Sequence, residues 1–177
     1  MRVNSEMPRL LRAFAAFSLL LLGGCEPAAE APAVVTAAPF HEGDECHVCG
    51  MAITDFPGPK GQAIERGEVR KFCSVAEMLG WWLQPENQAQ SVSLYVHDMA
   101  QGDWAAPDDA HLIDAREAYF VAVPSLPGAM GQPLATFASE ESAQAMAKAH
   151  QSKVLRLDQL DLATLQQPAA AGQHHHH

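Results

Sequence analysis

The stretch Cys46-His47-Val48-Cys49-Gly50-Met51 sets two thiols, an imidazole and a thioether along one short segment. Their spacing suits a metal. Two residues separate the thiols, the imidazole is next to the first, and the thioether follows the second across Gly50, which lets the backbone turn tightly around a bound ion. Donor softness points to the metal. Thiolate and thioether sulfur favour monovalent copper, whereas zinc takes cysteine and histidine and rarely a thioether. Cu(I) is satisfied by two or three ligands, so a four-ligand cage is unnecessary. A closed zinc site would need two further ligands, for which His41 and Cys73 are the available residues. The candidate ligands are therefore Cys49, Met51 and Cys46, with His47 as ligand or as a neighbour that tunes the thiols. Met130, on a Pro-Gly loop later in the chain, is a further candidate: it either approaches the same site or fills a gap in the core. Cys73, just before a helix start, reads as a ligand, a resolving thiol or a buried inert residue. His97 and His111 fall in strand-like stretches and read as structural.

The fourth cysteine has a different setting. Arg2, Arg9 and Arg12 precede the apolar run Ala13 to Leu22, which is too short to span a bilayer. The run ends in Leu22-Gly23-Gly24-Cys25, which resembles a bacterial lipobox. The resemblance implies cleavage before Cys25 and lipid attachment at Cys25, so the chain is expected in the periplasm, held to a membrane, with Glu26 favouring the outer one. Each buried CH₂ of such an anchor adds about 0.8 kcal/mol of membrane affinity. Residues 1–24 are then a signal peptide and 25–40 an Ala/Pro tether. Residues 41–166 form the metal-binding domain, and 167–177 a disordered tail. The closing His174 to His177 read as a purification tail or as a native metal-collecting tract.

The chain carries a net charge of −10, and the signal is its basic part. So acidic a mature domain argues against nucleic acid or an anionic lipid surface as partner. It suits a cationic cargo or a basic docking face.

The elements that must position these residues follow an internal repeat. Phe56-Pro57-Gly58-Pro59-Lys60-Gly61-Gln62 echoes Leu126-Pro127-Gly128-Ala129-Met130-Gly131-Gln132, and Phe72-Cys73-Ser74 echoes Phe137-Ala138-Ser139. Each Phe-x-Ser opens a helical pattern. Ser74 with Glu77 is a capping-box signature, and Ser139 with Glu140 and Glu141 complements a helix dipole. Strand signals flank the two Pro-Gly loops: Met51 to Asp55 and Glu68 to Phe72 around the first, Tyr119 to Val123 and Pro133 to Phe137 around the second. Further strands are expected in Val92 to His97 and Lys153 to Leu157, and a short helix in Asp158 to Leu165. The predicted fold is α+β, with two related ββα halves, about 46–98 and 111–166, sharing one core.

With these motifs in view, the chain resembles the NosL family of lipoproteins that serve nitrous oxide reductase maturation. The resemblance rests on Cys25 in a lipobox, Cys46-x-x-Cys49-Gly50-Met51, Pro57-Gly58-x-x-Gly61 and Pro127-Gly128-x-Met130-Gly131. It implies a two-part ββα fold and one Cu(I), with Cys49 and Met51 at the matching metal positions and Met130 beside them. It also implies delivery of copper toward nitrous oxide reductase through a membrane ABC-type maturation complex, without catalysis. Two alternatives remain open on the residues alone. One is a periplasmic thiol-disulfide oxidoreductase using the Cys46/Cys49 pair. The other is a structural subunit in which the cysteines only staple the N-terminal segment.

Overall fold

The computed structural model describes residues 36–166. Cys25, the signal, most of the tether and the closing histidines lie outside the described residues.

The domain is α+β, as the alternating strand and helix signals imply. β1 (Gly61–Glu65) and β2 (Glu68–Phe72) form an antiparallel hairpin whose two-residue turn, Arg66-Gly67, has φ of 50° and 84°. Such positive values match the twist of tight hairpins. α1 (Val75–Trp82) follows, then a short helical turn, α2 (Pro85–Gln88), with Pro85 at its start. β3 (Ser93–His97) returns to pair with β1, and β4 (Leu112–Asp114) closes a sheet of order β2-β1-β3-β4. The second half repeats the plan. β5 (Tyr119–Ala122) pairs with β6 (Leu134–Phe137), α3 (Glu140–Ala149) follows, and β7 (Val154–Leu155) returns to β5, giving the order β6-β5-β7. A last turn, α4 (Leu162–Leu165), is capped by Asp161.

Both serines cap their helices as read, but the reciprocal half of the Ser74–Glu77 capping box is not formed. The Ser74 hydroxyl accepts from the Glu77 N–H at 3.1 Å, and the Ser139 hydroxyl from the Ser142 N–H at 3.2 Å. On α1 the residues Val75, Met78 and Leu79 are buried together, as the 3.6-residue period requires.

The first Pro-Gly loop differs from its expected place. Met51 to Asp55 is no strand: Ala52 makes one bridge to Glu45, and Ile53–Asp55 is a 3₁₀ turn. Pro57 to Gly61 therefore precedes the first hairpin, whereas Pro127 to Gly131 does join β5 to β6. Pro57 and Pro59 have no N–H to offer a ladder, and the Gly58 N–H donates to the Trp104 carbonyl at 2.6 Å instead. The end of the supposed tether is also fixed. Ala38 exchanges two hydrogen bonds with the buried Gln62 side chain, and the Phe40 N–H donates to Asp109 at 2.7 Å.

The halves share a core. Phe120, Leu134 and Leu155 of the second sheet join Phe72, Met78 and Leu94 of the first half in one apolar cluster. Val121, Ala135 and Phe137 point the other way and pack with Ala143 and Ala147 of α3. Alternation along the strands thus gives the second sheet one face for the shared core and one for its own helix. His97 is a structural residue, as expected. It is 1% exposed, its Nδ1 accepts the Lys60 N–H at 3.0 Å, and its Nε2 therefore donates to Asp109 Oδ1 at 2.8 Å. His111 sits on a 3₁₀ turn and not a strand, exposed and paired with Asp108.

Candidate metal centre

The cysteine segment is a tight loop laid beside an edge strand. The Cys46 N–H donates to the Met51 carbonyl at 2.8 Å, and the Gly50 N–H donates back to the Cys46 carbonyl at 2.9 Å. Gly50 sits at φ +70°, with nothing within 4 Å of where a Cβ would stand. Backbone conformation, and not space, therefore asks for glycine. The His47 N–H donates to the Lys71 carbonyl at 2.8 Å, which holds the loop against β2, and Lys71 reaches out to Asp44 and the Pro39 carbonyl.

This docking brings Cys46 and Cys49 to the end of β2, where the next residue is Cys73. The three sulfurs lie within 4.8 Å of one another, and the Cys49 and Cys73 sulfurs are 3.6 Å apart. All three cysteines are free. Cys46 and Cys73 are shielded, at 3% and 0% exposure, while Cys49 is open to solvent. The trio is thus a half-open cup of soft donors, closed below and accessible at one corner.

Its electrostatics are divided. Burial works against the Cys46 thiolate, but backbone N–H groups of Cys49, Cys73 and Val48, with the Cys49 thiol, outweigh it and lower the Cys46 pKa below that of an ordinary thiol. Cys73 is shifted the other way. Burial raises it strongly and the neighbouring Cys46 adds to the rise, against a lowering backbone contact from Met130. The cup therefore holds one sulfur that ionises more easily than an ordinary thiol and one that gives up its proton only to a strong competitor such as a soft cation.

The remaining candidates are arranged around this cup. Met51 is half-buried against the core cluster, with its carbonyl in the loop's closing bond. Met130 touches the site through its backbone, since its carbonyl accepts the Ser74 hydroxyl at 2.7 Å and it also contacts Cys73. Its side chain is 50% exposed. Gly131, at φ +79°, lets the Met130 loop lie against α1: a Cβ there would stand 2.8 Å from the Ala76 Cβ. The His47 ring is not in the cluster. It packs edge-on to Phe72 and Trp81, at 5.8 and 5.9 Å between centroids. The residue that spacing undervalued is Cys73. The repeat held a signal for it, because Phe72-Cys73-Ser74 puts a thiol where Phe137-Ala138-Ser139 has a methyl group.

Comparison with known proteins shows the family and the fold. The NosL family model matches residues 37–165. The copper-binding lipoprotein NosL of Stutzerimonas stutzeri is 54% identical over 170 residues, covering 94% of this chain and 88% of that one. The chain belongs to the NosL family. A second NosL, the copper-binding lipoprotein of Achromobacter cycloclastes, is 32% identical over 131 residues, covering 71% of this chain and 68% of its own. The crystal structure of the copper chaperone NosL from Shewanella denitrificans superposes with a TM-score of 0.69 at 39% identity, covering 72% of this chain and 97% of that one. The α+β architecture described above is therefore the fold of a solved NosL.

Proposed function

We propose that this domain is a copper chaperone that carries one Cu(I) on the Cys46, Cys49 and Cys73 sulfurs and passes it on by ligand exchange, without catalysing a reaction. The observation that carries the reading is the convergence of three free thiols from two separate segments, two of them shielded. Three sulfurs suit Cu(I), which is satisfied by two or three soft ligands, whereas a closed zinc site takes four. The NosL relatives are described as copper-binding lipoproteins and a copper chaperone, which supports the same cargo. Cys46 offers the first thiolate. Binding then releases protons from the other thiols, so affinity rises with pH. Met51 lies next to the loop bond and supplies a thioether that oxidation to a disulfide cannot remove. Met130 stands at the rim, and His47 steadies the loop by stacking.

Exposed Cys49 is the exit. An acceptor's thioether or imidazole approaches copper from that side, forms a new bond as the Cys49 bond lengthens, and takes the ion without releasing it to water. The acceptor in this reading is nitrous oxide reductase, reached through its membrane ABC-type maturation complex. Lipid on Cys25 anchors the chain to a membrane, the outer one in a Gram-negative periplasm. Tethering raises the effective concentration of the domain at a docked partner. The thiol-disulfide oxidoreductase reading finds less support: no α-helix starts at Cys46, and the next helical element is the 3₁₀ turn Ile53–Asp55. Cys49 also has Cys73 at contact distance, outside the CxxC pair.

Competition against a coloured Cu(I) chelator tests the site. One equivalent is expected to bind tightly in the full chain and to be lost when Cys46, Cys49 and Cys73 are all replaced by serine. Retention of copper by the triple variant, or a preference for zinc over cuprous ion, rules the site out.

A further inference from the structure

Beside the thiol cup runs a groove of about 520 Å³, bounded by α1 on one side and by the Met130 loop and α4 on the other. Val48, from the middle of the CxxC segment, and Met130, from the loop that touches Cys73, both line it, so it opens next to the exposed Cys49. Its character is apolar. Of the four exposed large hydrophobic residues among the described ones, Val48, Met130 and Leu162 are on this groove, at 53%, 50% and 37% exposure; only Val69 lies elsewhere. Scattered singly, such residues need no explanation, but gathered on one concave surface they mark a binding face.

Three polar side chains interrupt it, Gln84, Gln166 and Glu77. Glu77 is the single charged residue in the lining, and its Oε2 is shut off from solvent with no hydrogen-bond partner. The residue occupies the third position of α1 after the Ser74 cap, where a glutamate ordinarily reaches back to the cap N–H. Here the cap is one-sided: Ser74 accepts from the Glu77 N–H and spends its own proton on the Met130 carbonyl. The carboxylate has no ion pair among the described residues, and because Glu77 lines the groove and is only partly buried, a cation seated there reaches the group from its open side and not at the covered Oε2.

We propose that this groove is the docking surface for another protein, and that its occupant is an apolar segment bearing one basic side chain that pairs with Glu77. The charge is complementary, and the apolar rim gives the area that a salt bridge alone does not. A second copy of this chain fits poorly, because an isologous contact brings the same acid to the same groove on a chain of net charge −10. The inference rests on the chaperone reading for its purpose: a segment seated here holds the acceptor against the open corner of the cup.

The test uses the full, anchored chain in denitrifying cells. A photo-crosslinking benzoylphenylalanine replaces Leu162 or Gln84, both on the groove, and Val69 serves as the position away from it. Both groove positions are expected to capture the same polypeptide, through a peptide that contains an arginine or lysine within one helical turn of the crosslink, and Val69 is expected not to. Glu77→Lys should cut the yield about tenfold, Glu77→Gln should cut it less, and exchanging the mapped basic residue for glutamate should restore capture by Glu77→Lys. Crosslinks to a second copy of the chain or to lipid, equal capture at Val69, or indifference to both Glu77 variants overturns the proposal. The same variants are titrated with Cu(I) alone. Intact copper binding without crosslinks overturns the groove only. Crosslinks from a wild-type chain that binds no copper would leave the groove standing and overturn the chaperone reading.

Discussion

The two halves of this domain solve the same local problem with different atoms. In each, an edge strand ends in Phe-x-Ser, the serine caps a helix, and a neighbouring loop must satisfy the backbone N–H at the junction. In the second half that donor is Ala138, and the buried Asp98 carboxylate accepts from it at 3.3 Å, and from the Ala100 N–H at 3.1 Å. In the first half the donor is Cys73, and its N–H lowers the pKa of the Cys46 thiol instead. One niche thus holds a hard oxygen and the other a soft sulfur, with a second thiol at the junction itself where the second half has Ala138. The comparison teaches that the ββα frame is indifferent to chemistry. What makes one strand-to-helix junction a metal site is the identity of two or three atoms set into it.

The largest effect should come from making the first junction like the second. Cys73→Ala is expected to lower Cu(I) affinity by about a hundredfold or more, since even residues behind the ligands contribute about ten- to a hundredfold at metal sites. Chelator competition measures it. An unchanged affinity would show that the cup works through Cys46, Cys49 and the methionines, leaving Cys73 a buried spectator. The opposite substitution strikes the second junction. Asp98→Ala leaves two backbone donors without their charged acceptor, at a cost of about 2–3 kcal/mol in unfolding free energy, with Cu(I) affinity unchanged. Urea denaturation and the same titration separate the two effects. A loss of copper binding along with the stability would mean that the halves are coupled more tightly than their shared core requires.

The unequal legibility of the halves has the same origin. The frame was readable because it depends on patterns: the serine caps, the apolar faces of α1 and α3, and the strands at Glu68 to Phe72 and Tyr119 to Ala122 all follow from period and capping chemistry. The shared core follows from them, but the strand order does not, because it turns on β1 (Gly61–Glu65) and β4 (Leu112–Asp114), which none of the strand signals marked. The cup was only half readable. Cys46 and Cys49 announce themselves by spacing, but Cys73 is distant in sequence and is brought in by the pairing of His47 with Lys71, a contact that no periodicity encodes. Met51 to Asp55 carries a strand signal only as a short apolar run, Met51 to Ile53, ahead of a Pro-Gly loop. Ala52 makes a single bridge to Glu45 within the cysteine loop, and Ile53 then turns into the core on a 3₁₀ turn.

The serine caps give a finer contrast. Removing the Ser139 hydroxyl should cost about 1 kcal/mol, the ordinary worth of an N-cap. Ser74→Ala should cost more, because its hydroxyl also donates to the Met130 carbonyl and ties the two halves together beside the cup. Thermal unfolding of the pair of variants tests this. Equal shifts would mean that the Met130 bond adds nothing to stability.

The smallest expected effect is a slope with pH. At the third position of each helix the halves differ again: Ser142 is satisfied by the Ser139 hydroxyl at 2.9 Å, whereas Glu77 has an oxygen with no partner. Burial raises the Glu77 carboxyl above the ordinary glutamate value of 4.5. For an acid raised on folding, the protonated form is the one the fold favours, so its contribution is fully present below 4.5 and is lost as pH rises through the raised value. The wild type should therefore lose stability relative to Glu77→Gln as pH climbs from below 4.5 toward neutrality, and then run parallel to it. Ser142→Ala should show a constant offset from the wild type over the same range. A constant offset for Glu77→Gln as well would mean that water or a rotated side chain already satisfies the carboxylate. The first helix would then be no more strained at its start than the second, and the argument that Glu77 waits for a partner's cation would lose its thermodynamic footing.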